Sequence, residues 1–170
     1  MPGKVVIDSS KNPFHLYMLS LLPEVHVSVV HIVRDPRANA FSWNSKKKGF
    51  SERSIASSAL SWDARNGALA LLTRTFKGRN ITLRYEDFVA DPSSTARAIV
   101  RLVGREAPDL SFISNEGVRM GTNHCVYGNP DLFKSGTIKL KLDDRWKNMS
   151  AWDKTLTTAL TWPMMLRFGY

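Results

Sequence analysis

The chain has 170 residues, and its 43% content of hydrophobic residues is enough to bury the core of one domain, which argues against intrinsic disorder. Lysine and arginine number 24 against 15 acidic residues, so the formal net charge is +9, and we expect an anionic partner such as nucleic acid, an acidic membrane surface or a phosphorylated small molecule. The single cysteine, Cys125, excludes an internal disulfide framework and a zinc site built from cysteines. No apolar stretch reaches the roughly 20 residues of a membrane-spanning helix. We therefore expect one domain over residues 1–170, with neither a signal peptide nor a membrane anchor.

The N-terminal segment predicts a strand followed by a helix. Residues 4–8 form a short β-branched run, which we interpret as a buried strand that ends at polar and turn residues. Asn12 is a suitable N-cap for the next helix, and Pro13 suits its first turn because proline lacks only a donor that is unpaired there. This helix is expected to end near Leu22, before Pro23.

A second strand and a second helix follow. Residues 26–33 are nearly all apolar, a pattern typical of a parallel strand covered by helices on both faces. Asp35 then provides an N-cap and Pro36 the first position of a helix that runs to about Ser45. A basic loop at 46–49 follows this helix.

The next segment predicts the longest helix and a third strand. Helical spacing from Ser54 to Phe76 rests on Ile55, Leu60, Trp62, Ala68, Leu69 and Leu72. Residues 80–85 predict a strand, and Asp91 caps a further helix that reaches Gly104. This alternation indicates an α/β domain with a parallel sheet and right-handed crossovers.

The C-terminal third is less regular. Residues 108–145 are rich in glycine, asparagine and serine, which favours a ligand-binding loop. A last helix is predicted from Ser150, with Asp153 in a capping-box position, to Arg167, with a kink at Pro163. The tryptophans expected in the core are Trp62, Trp146, Trp152 and Trp162.

The strongest functional signal lies where the second predicted strand meets its helix. Arg34 stands at the carboxyl end of that strand, the edge at which open α/β sheets bind ligands, and Ser42 lies on the helix that follows. A guanidinium can grip a phosphate with two hydrogen bonds, the helix N-terminus adds partial positive charge, and the Ser42 hydroxyl can donate another bond. A structural alternative stays open, in which Arg34 pairs with Asp35 or Asp63 and Ser42 binds nothing.

Together with its surroundings, this segment resembles a known family. Residues 33–42, preceded by 6–13, are similar to motifs of the sulfotransferases that use 3'-phosphoadenosine 5'-phosphosulfate (PAPS). Further motifs of that family match in order at residues 83–88, 124–130, 133–136 and 143–146. Ordered motifs across nearly the whole chain are more specific than any one of them.

The resemblance implies an α/β fold with a parallel sheet covered by helices, the P-loop-NTPase-like sulfotransferase fold, and PAPS as the sulfuryl donor. The nucleotide contacts that it implies are Arg34 and Ser42 to the 3'-phosphate, Tyr85 near the adenosine, and a closing loop of Lys134, Ser135 and Gly136. Each role suits the chemistry, because a guanidinium and a hydroxyl bind phosphate, an aromatic ring suits a base, and a lysine-glycine loop suits a lid.

Two departures from the family pattern bear on these roles. The family begins with a strand, a phosphosulfate-binding loop and a helix, and nothing before Lys4 matches that unit. We therefore expect the chain to correspond to the central and C-terminal parts of a sulfotransferase, truncated at the N-terminus. Its sheet edge and apolar helix surface would then be exposed, which predicts self-association. Leu132 also stands where many relatives place an arginine, so we expect that contact to be lost.

Two residues are candidates for the catalytic step. Lys11 ends the first predicted strand, near where relatives place a catalytic lysine and histidine, and it either stabilises the transferring group or is a solvated lysine. His124 is the other titratable candidate, with a hydrogen-bonded structural role as its alternative. Asp143 and Asp144 have no third ligand at metal-binding spacing, so we predict no metal site.

Three functions remain, in order of preference. The first is transfer of a sulfuryl group from PAPS to a hydroxyl or amine of a carbohydrate, small molecule or protein. In that case the basic residues 46–48 either attract an anionic acceptor, such as a sulfated glycan, or form a solvated loop. The second is a non-catalytic remnant that binds 3',5'-adenosine bisphosphate weakly. The third is a basic nucleic-acid-binding module, which charge alone supports, so no nucleic acid partner is expected. The compartment stays open: the cytoplasm for a bacterial protein, the Golgi lumen for a fragment of a eukaryotic enzyme.

Overall fold

Helices and strands alternate along the first part of the chain. The computed structural model describes residues 5–44, 53–76, 79–105, 109–121 and 135–170. The α-helices in these ranges are α1 (Pro13–Ser20), α2 (Pro36–Asn44), α3 (Ile55–Leu72), α4 (Tyr85–Ala90), α5 (Pro92–Leu102) and α6 (Ala151–Arg167). The strands are β1 (Val29–Val33), β2 (Asn80–Arg84), β3 (Ile113–Ser114), β4 (Gly117–Met120) and β5 (Gly136–Ile138). Short 3₁₀ helices span Thr73–Thr75 and Arg145–Asn148.

β1 and β2 form a parallel pair. Their register runs from Val29 opposite Asn80 to Val33 opposite Arg84, so both strands end at the same edge. α2 and α3 lie between them in the chain, because parallel neighbours need a long crossover instead of a tight turn. The predicted α/β class with a parallel sheet is therefore confirmed.

The core lies between β1, α2, α3 and α6. α3 packs against both α2 and α6, and its Ala59 and Trp62 are buried, as are Val33 of β1 and Ala38 of α2. Alternate residues of β1 are buried, but Ile32 on the other face is 50% exposed. Among the described residues, the face of β1 that carries Val30 and Ile32 is therefore only partly buried.

Side-chain caps begin the helices where the sequence places them. Asn12 Oδ1 accepts a hydrogen bond from Phe14 N at 3.0 Å. In the same way, Asp91 Oδ1 accepts a hydrogen bond from Ser94 N at 2.9 Å. Ser150 Oγ accepts from Asp153 N at 3.0 Å and donates to the carboxylate of that residue at 2.8 Å. These bonds satisfy amides that the start of a helix leaves unpaired, so the predicted starts of α1, α5 and α6 are confirmed.

The N-terminal segment differs from its prediction. No strand forms within residues 5–12, and Val6 and Ile7 are 86% and 89% exposed instead of buried. An extended segment is stable as a strand only beside a hydrogen-bonded neighbour, and none of the described strands pairs with this one. The strand predicted over 26–33 also begins later, at Val29.

The described parts of the predicted 108–145 loop contain a small antiparallel sheet. Its order is β3-β4-β5, with Ser114 opposite Gly117 and Met120 opposite Gly136. These strands have 2, 4 and 3 residues, too few to show an alternating pattern in the sequence. Gly117 has φ +140°, and a Cβ there would overlap the carbonyl group of Ile138, so the approach of β5 requires glycine.

On the two longest helices of the described chain, the hydrophobicity of a residue does not by itself indicate whether it is buried. Trp152 and Trp162 of α6 were expected in the core but are exposed, and the apolar residues Leu60 and Ala68 of α3 are exposed as well. The buried residues of α6 are instead Thr157, Thr161 and Met165. Each threonine hydroxyl donates to the carbonyl four residues back, at 2.8 and 2.7 Å, so it is satisfied inside its own helix and can be buried.

α6 is the last described element. It continues through Pro163 to Arg167, and the kink predicted at this proline stays a prediction. Within the described ranges, no helix combines the length and the apolar composition needed to cross a membrane.

Candidate anion-binding site

Two arginines stand at the carboxyl edge of the parallel pair. Arg34 follows the last residue of β1, and Arg84 ends β2 opposite Val33. Both line a cavity of about 330 Å³ beside the start of α2. Its cationic side chains, Arg34, Arg37, Arg84 and Lys147, share it with four carboxylates. The positive and negative charges of the cavity therefore balance. Whether a cation can bind an anion then depends on how closely a carboxylate of the protein already pairs with it.

Asp35 immediately precedes α2 and pairs with Arg37. Asp35 is 6% exposed, its Oδ2 lies 2.6 Å from Arg37 Nη2, and its Oδ1 accepts from the backbone N–H of Arg37 at 2.8 Å. The hydrogen bonds with Asp35 raise the pKa of the Arg37 guanidinium above its usual value. Because this carboxylate already binds an N–H at the start of the helix, the positive end of α2 offers less to an incoming anion.

Arg34 has a different acidic partner from the one considered in the sequence. Its Nη2 lies 3.6 Å from Asp143 Oδ2. Its backbone carbonyl accepts a hydrogen bond from Trp62 Nε1 at 2.9 Å, which ties the end of β1 to α3. Among the described residues, Arg34 is therefore paired with an acidic residue, as the structural alternative holds, but this residue is neither Asp35 nor Asp63.

Arg84 is held by the C-terminal residues of the chain. Its Nη1 donates to the carbonyl of Gly169 at 2.9 Å, and its guanidinium carbon lies 4.5 Å from the centroid of the Tyr170 ring. Tyr170 donates its hydroxyl to Glu86 Oε2 at 2.5 Å, and Glu86 Oε1 accepts from Asp35 N at 3.2 Å. Burial, and then the Glu86 carboxylate, raise the pKa of Tyr170, so the phenol stays protonated and keeps this network together.

Asp143 also belongs to a surface ion pair. Arg145 donates to it from Nε at 2.7 Å and from Nη2 at 2.8 Å. These hydrogen bonds hold the pKa of Asp143 well below its usual range, so its carboxylate is charged near neutral pH. The next residue, Asp144, lies 2.8 Å from Lys147 Nζ.

The ion pairs of this cavity differ in length. The Arg34–Asp143 pair is 3.6 Å long, against 2.6 and 2.8 Å for the pairs made by Arg37 and Lys147. At 3.6 Å there is no hydrogen bond, and the Coulomb attraction is weaker than at closer range. An incoming phosphate, which matches the fork of a guanidinium, therefore meets less competition at Arg34 than at Arg37 or Lys147.

Tyr85 and Ser42, the other predicted contacts from this part of the chain, differ in placement. The Arg34 guanidinium carbon lies 5.2 Å from the centroid of the Tyr85 ring, so these two predicted contacts do come together, although Tyr85 does not line the 330 Å³ cavity. Ser42 lies half-buried on α2, makes contacts of its own, and does not line the 330 Å³ cavity. Its role at a phosphate stays a prediction.

Lys11 lines a second cavity. It is exposed and has φ +59°, a left-handed conformation that is uncommon for lysine. With Ser9, His31 and Trp43 it lines a cavity of about 680 Å³, of which Arg34 is not part. The two predicted site residues therefore border different cavities, and a catalytic role for Lys11 stays a prediction.

His31 is a titratable group in the wall of that second cavity. It is 4% exposed, its Nε2 donates to Asn66 Oδ1 at 2.8 Å, and its ring meets the Phe168 ring edge-on with centroids 5.5 Å apart. Its Nδ1 is buried without a hydrogen-bond partner among the described residues. Burial lowers the pKa of His31, so the ring is neutral at pH 7.

Of the predicted closing loop, Ser135 and Gly136 lie within the described residues. Lys134 lies outside the described residues, as do His124, Leu132 and the basic residues 46–48. Ser135 is exposed, and Gly136 begins β5 with φ +90°, a conformation that favours glycine. In the part of the chain that the structure describes, no three His, Cys, Asp or Glu side chains gather closely enough to hold a metal ion.

Sequence reasoning missed three residues that shape the first cavity. Arg84 had a readable signal, because it ends a predicted parallel strand just as Arg34 follows one. Asp143 was considered only as part of a family motif and as a metal ligand, and Tyr170 carried no signal. Both reach the cavity through contacts between distant parts of the chain, with Arg34 and with Glu86.

A comparison with protein-family profiles identifies the family of the part of the chain that contains the parallel strands. The profile of the Sulfotransferase family matches residues 2–109. This segment is more than half of the chain and includes both parallel strands, Arg34 and Arg84. A search of curated proteins found no match.

Proposed function

The chain belongs to the sulfotransferase family, and from this premise we propose that it binds PAPS at the carboxyl edge of its parallel strands and transfers the sulfuryl group to a hydroxyl or amine. The acceptor would be a carbohydrate, a small molecule or a protein. The excess of basic residues, 24 against 15 acidic ones, favours an acceptor that is itself anionic.

The observation that carries this proposal is the position of Arg34. It follows a parallel strand, borders the start of a helix, lines a cavity of about 330 Å³, and has an acidic partner no closer than 3.6 Å. A guanidinium in this position suits a dianionic phosphate, which takes two parallel hydrogen bonds from it. Arg84 adds a second positive charge to the same cavity.

Tyr85 supports a nucleotide over a free phosphate as the ligand. Its ring lies 5.2 Å from the Arg34 guanidinium and is half-buried, so it has an apolar surface next to the cation. A purine base stacks on such a ring, and the gain comes from burial and from ring–ring contact.

The proposed reaction forms a bond between the acceptor oxygen or nitrogen and sulfur, and it breaks the bond from sulfur to the bridging oxygen of the 5'-phosphate. The electron pair of the broken bond leaves with 3',5'-adenosine bisphosphate, and the proton of the acceptor passes to a base. Arg34 would hold the 3'-phosphate, whereas the negative charge that develops on the 5'-phosphate of the leaving group needs a separate cationic contact. Lys11 and His124 stay candidates for the transferring group and the proton.

The test is the thermal stability of the chain with and without 3',5'-adenosine bisphosphate. The bisphosphate should raise the melting temperature, and Arg34→Ala should weaken binding by roughly tenfold to a hundredfold, since a charge-assisted contact of about 1.5–3 kcal/mol is removed. AMP, which has no 3'-phosphate, should stabilise the chain less. Arg101→Ala, at an exposed position on α5, is the matched control and should bind like the unchanged chain. Equal stabilisation by the bisphosphate with and without Arg34 would reject the assignment.

A second function, nucleotide binding without catalysis, is favoured by one observation. Lys11, a candidate for the transferring group, borders the 680 Å³ cavity and not the one that Arg34 lines. Labelled PAPS with a panel of hydroxyl and amine acceptors separates the two functions. Transfer of label that Arg34→Ala abolishes supports the enzyme, whereas bisphosphate binding without transfer supports the binding protein.

A further inference from the structure

The cavity that holds Arg34 contains a negative charge of its own. Asp143 Oδ2 lies 3.6 Å from Arg34 Nη2, and the two side chains are 27% and 25% exposed. Two hydrogen bonds from Arg145, at 2.7 and 2.8 Å, orient the Asp143 carboxylate. A charged carboxylate therefore lies beside the guanidinium to which the proposed function assigns a phosphate.

A phosphate and this carboxylate compete for the same guanidinium. Like charges within a few ångströms repel each other, and the repulsion grows where the protein excludes water. Both side chains are about three-quarters buried, so solvent screens the repulsion only in part. A phosphate that binds Arg34 closely must therefore bind against Asp143 or displace it.

Asp143 is also placed so that it can move aside. It lies between β5 and the 3₁₀ helix Arg145–Asn148, in a stretch without regular secondary structure. Its partner Arg145 is 69% exposed, so the two can swing together towards solvent. Asp35, by contrast, has an 8% exposed side chain and is bound to the start of α2. Asp143 is thus the more displaceable of these two carboxylates.

We propose that Asp143 sets the nucleotide affinity of this protein by competing with the 3'-phosphate for Arg34. The inference rests on the proposed function for the identity of the nucleotide, although the competition itself applies to any phosphate that reaches Arg34. As the bisphosphate product leaves, the same carboxylate returns to the guanidinium, so Asp143 promotes product release.

Calorimetric titration of the full chain with 3',5'-adenosine bisphosphate tests the proposal. Asp143→Asn keeps the size of the side chain and removes its charge. We expect it to tighten binding about fivefold, which is about 1 kcal/mol when a tenfold change is about 1.4 kcal/mol. The gain should shrink as the salt concentration rises, because it is electrostatic. A gain in affinity cannot result from misfolding.

Two controls isolate the competition. Asp109→Asn removes the same charge at an exposed position that does not line the cavity, and should change affinity by less than about twofold. Asp143→Asn should also tighten binding in an Arg145→Gln background. Such a gain would show that a released Arg145 does not cause it by becoming a new phosphate ligand.

The same titrations with inorganic phosphate separate this inference from the proposed function. If Arg34→Ala loses the bisphosphate but Asp143→Asn binds it no better than the unchanged chain, the inference is wrong and the function stands. If Asp143→Asn tightens phosphate binding while no variant binds the bisphosphate, the inference stands and the nucleotide function is wrong. An equal gain from Asp109→Asn, a gain that disappears without Arg145, or no binding of either anion to any variant overturns the inference.

Discussion

Arg34 and Arg84 lie at equivalent ends of neighbouring strands, but different contacts hold them. Arg84 donates to the Gly169 carbonyl at 2.9 Å and stacks on Tyr170, whereas Arg34 has an acidic partner at 3.6 Å. A cation with close partners stiffens the structure, and one whose partner is more distant contributes less to stability because the Coulomb attraction falls with distance. At the scale of single residues, Arg84 therefore combines a structural role with its place in the cavity, and Arg34 is the one better suited to a ligand.

His31 predicts a pH dependence of stability. Burial, with a smaller effect of Arg167, lowers the pKa of His31, so the unfolded chain, with a histidine pKa of about 6.5, binds this proton more readily than the folded one. The contribution of His31 is therefore present above about pH 6.5 and is lost as the pH falls towards and through the folded-state pKa. Urea unfolding at several pH values between 7.5 and 5 measures this loss.

The matched variants for this experiment are His31→Gln and His26→Gln. His31→Gln is expected to be less stable throughout but to lose less free energy of unfolding on acidification. His26 is exposed, so His26→Gln should keep the pH dependence of the unchanged chain. Parallel pH profiles for the unchanged chain and His31→Gln would contradict this account.

At the scale of elements, different interactions determine where α6 begins and which of its faces is buried. Ser150 and Asp153 exchange two hydrogen bonds, at 3.0 and 2.8 Å, that define the start of the helix. Packing against α3 then selects the buried face, where Thr157 and Thr161 are fully buried. Local hydrogen bonds thus set where α6 begins, and tertiary packing sets how it is rotated.

Ser150→Ala should destabilise the protein by about 1 kcal/mol, because Asp153 N then has no side-chain acceptor at the start of α6. In a chain of this size the loss corresponds to a decrease of roughly 2–4 °C in the melting temperature. Ser57→Ala, at an exposed position near the start of α3, is the control and should stay within about 0.5 kcal/mol of the unchanged chain. Equal melting temperatures for the unchanged chain and Ser150→Ala would show that the cap is dispensable.

At the scale of the whole molecule, the parallel sheet is small and open. Within the described residues it has two strands, so β1 and β2 each have one hydrogen-bonded neighbour. Ile32 on β1 is 50% exposed, and Val6 and Ile7 are 86% and 89% exposed. Parallel sheets are usually covered on both faces, and an open edge beside apolar side chains favours pairing with another chain.

We therefore expect the purified chain to self-associate through the β1 edge. Size-exclusion chromatography with light scattering should show a mass above that of a monomer that grows with concentration. Because the net charge of +9 opposes association, the mass should also grow as salt screens that charge. A monomer of constant mass at high concentration would contradict the prediction.

Two lysine variants locate the contact. Ile32→Lys places a charge on β1 and should shift the chain towards the monomer. Leu71→Lys places the same charge on α3, at a residue that is 65% exposed, and should leave association unchanged. Equal effects of the two variants would mean that general charge repulsion, and not the β1 edge, controls association.

The sequence by itself determined the alternation of strands and helices, the helix caps at Asn12, Asp91 and Ser150, and the position of Arg34 at the end of a strand. All of these depend on residues a few positions apart, and short-range hydrogen bonds and hydrophobic periodicity express them directly. The sequence also carried the motifs that indicated the sulfotransferase family, whose profile matches residues 2–109.

Only the tertiary structure decided that Asp143 is the acidic partner of Arg34, that Tyr170 binds Glu86, and that threonines instead of tryptophans form the buried face of α6. It also decided that residues 5–8 remain exposed, because a strand needs a neighbour and no local pattern supplies one. These features arise from contacts between residues far apart in the chain. The amino acids at one end of such a contact do not specify their partner, so packing of the whole molecule selects it.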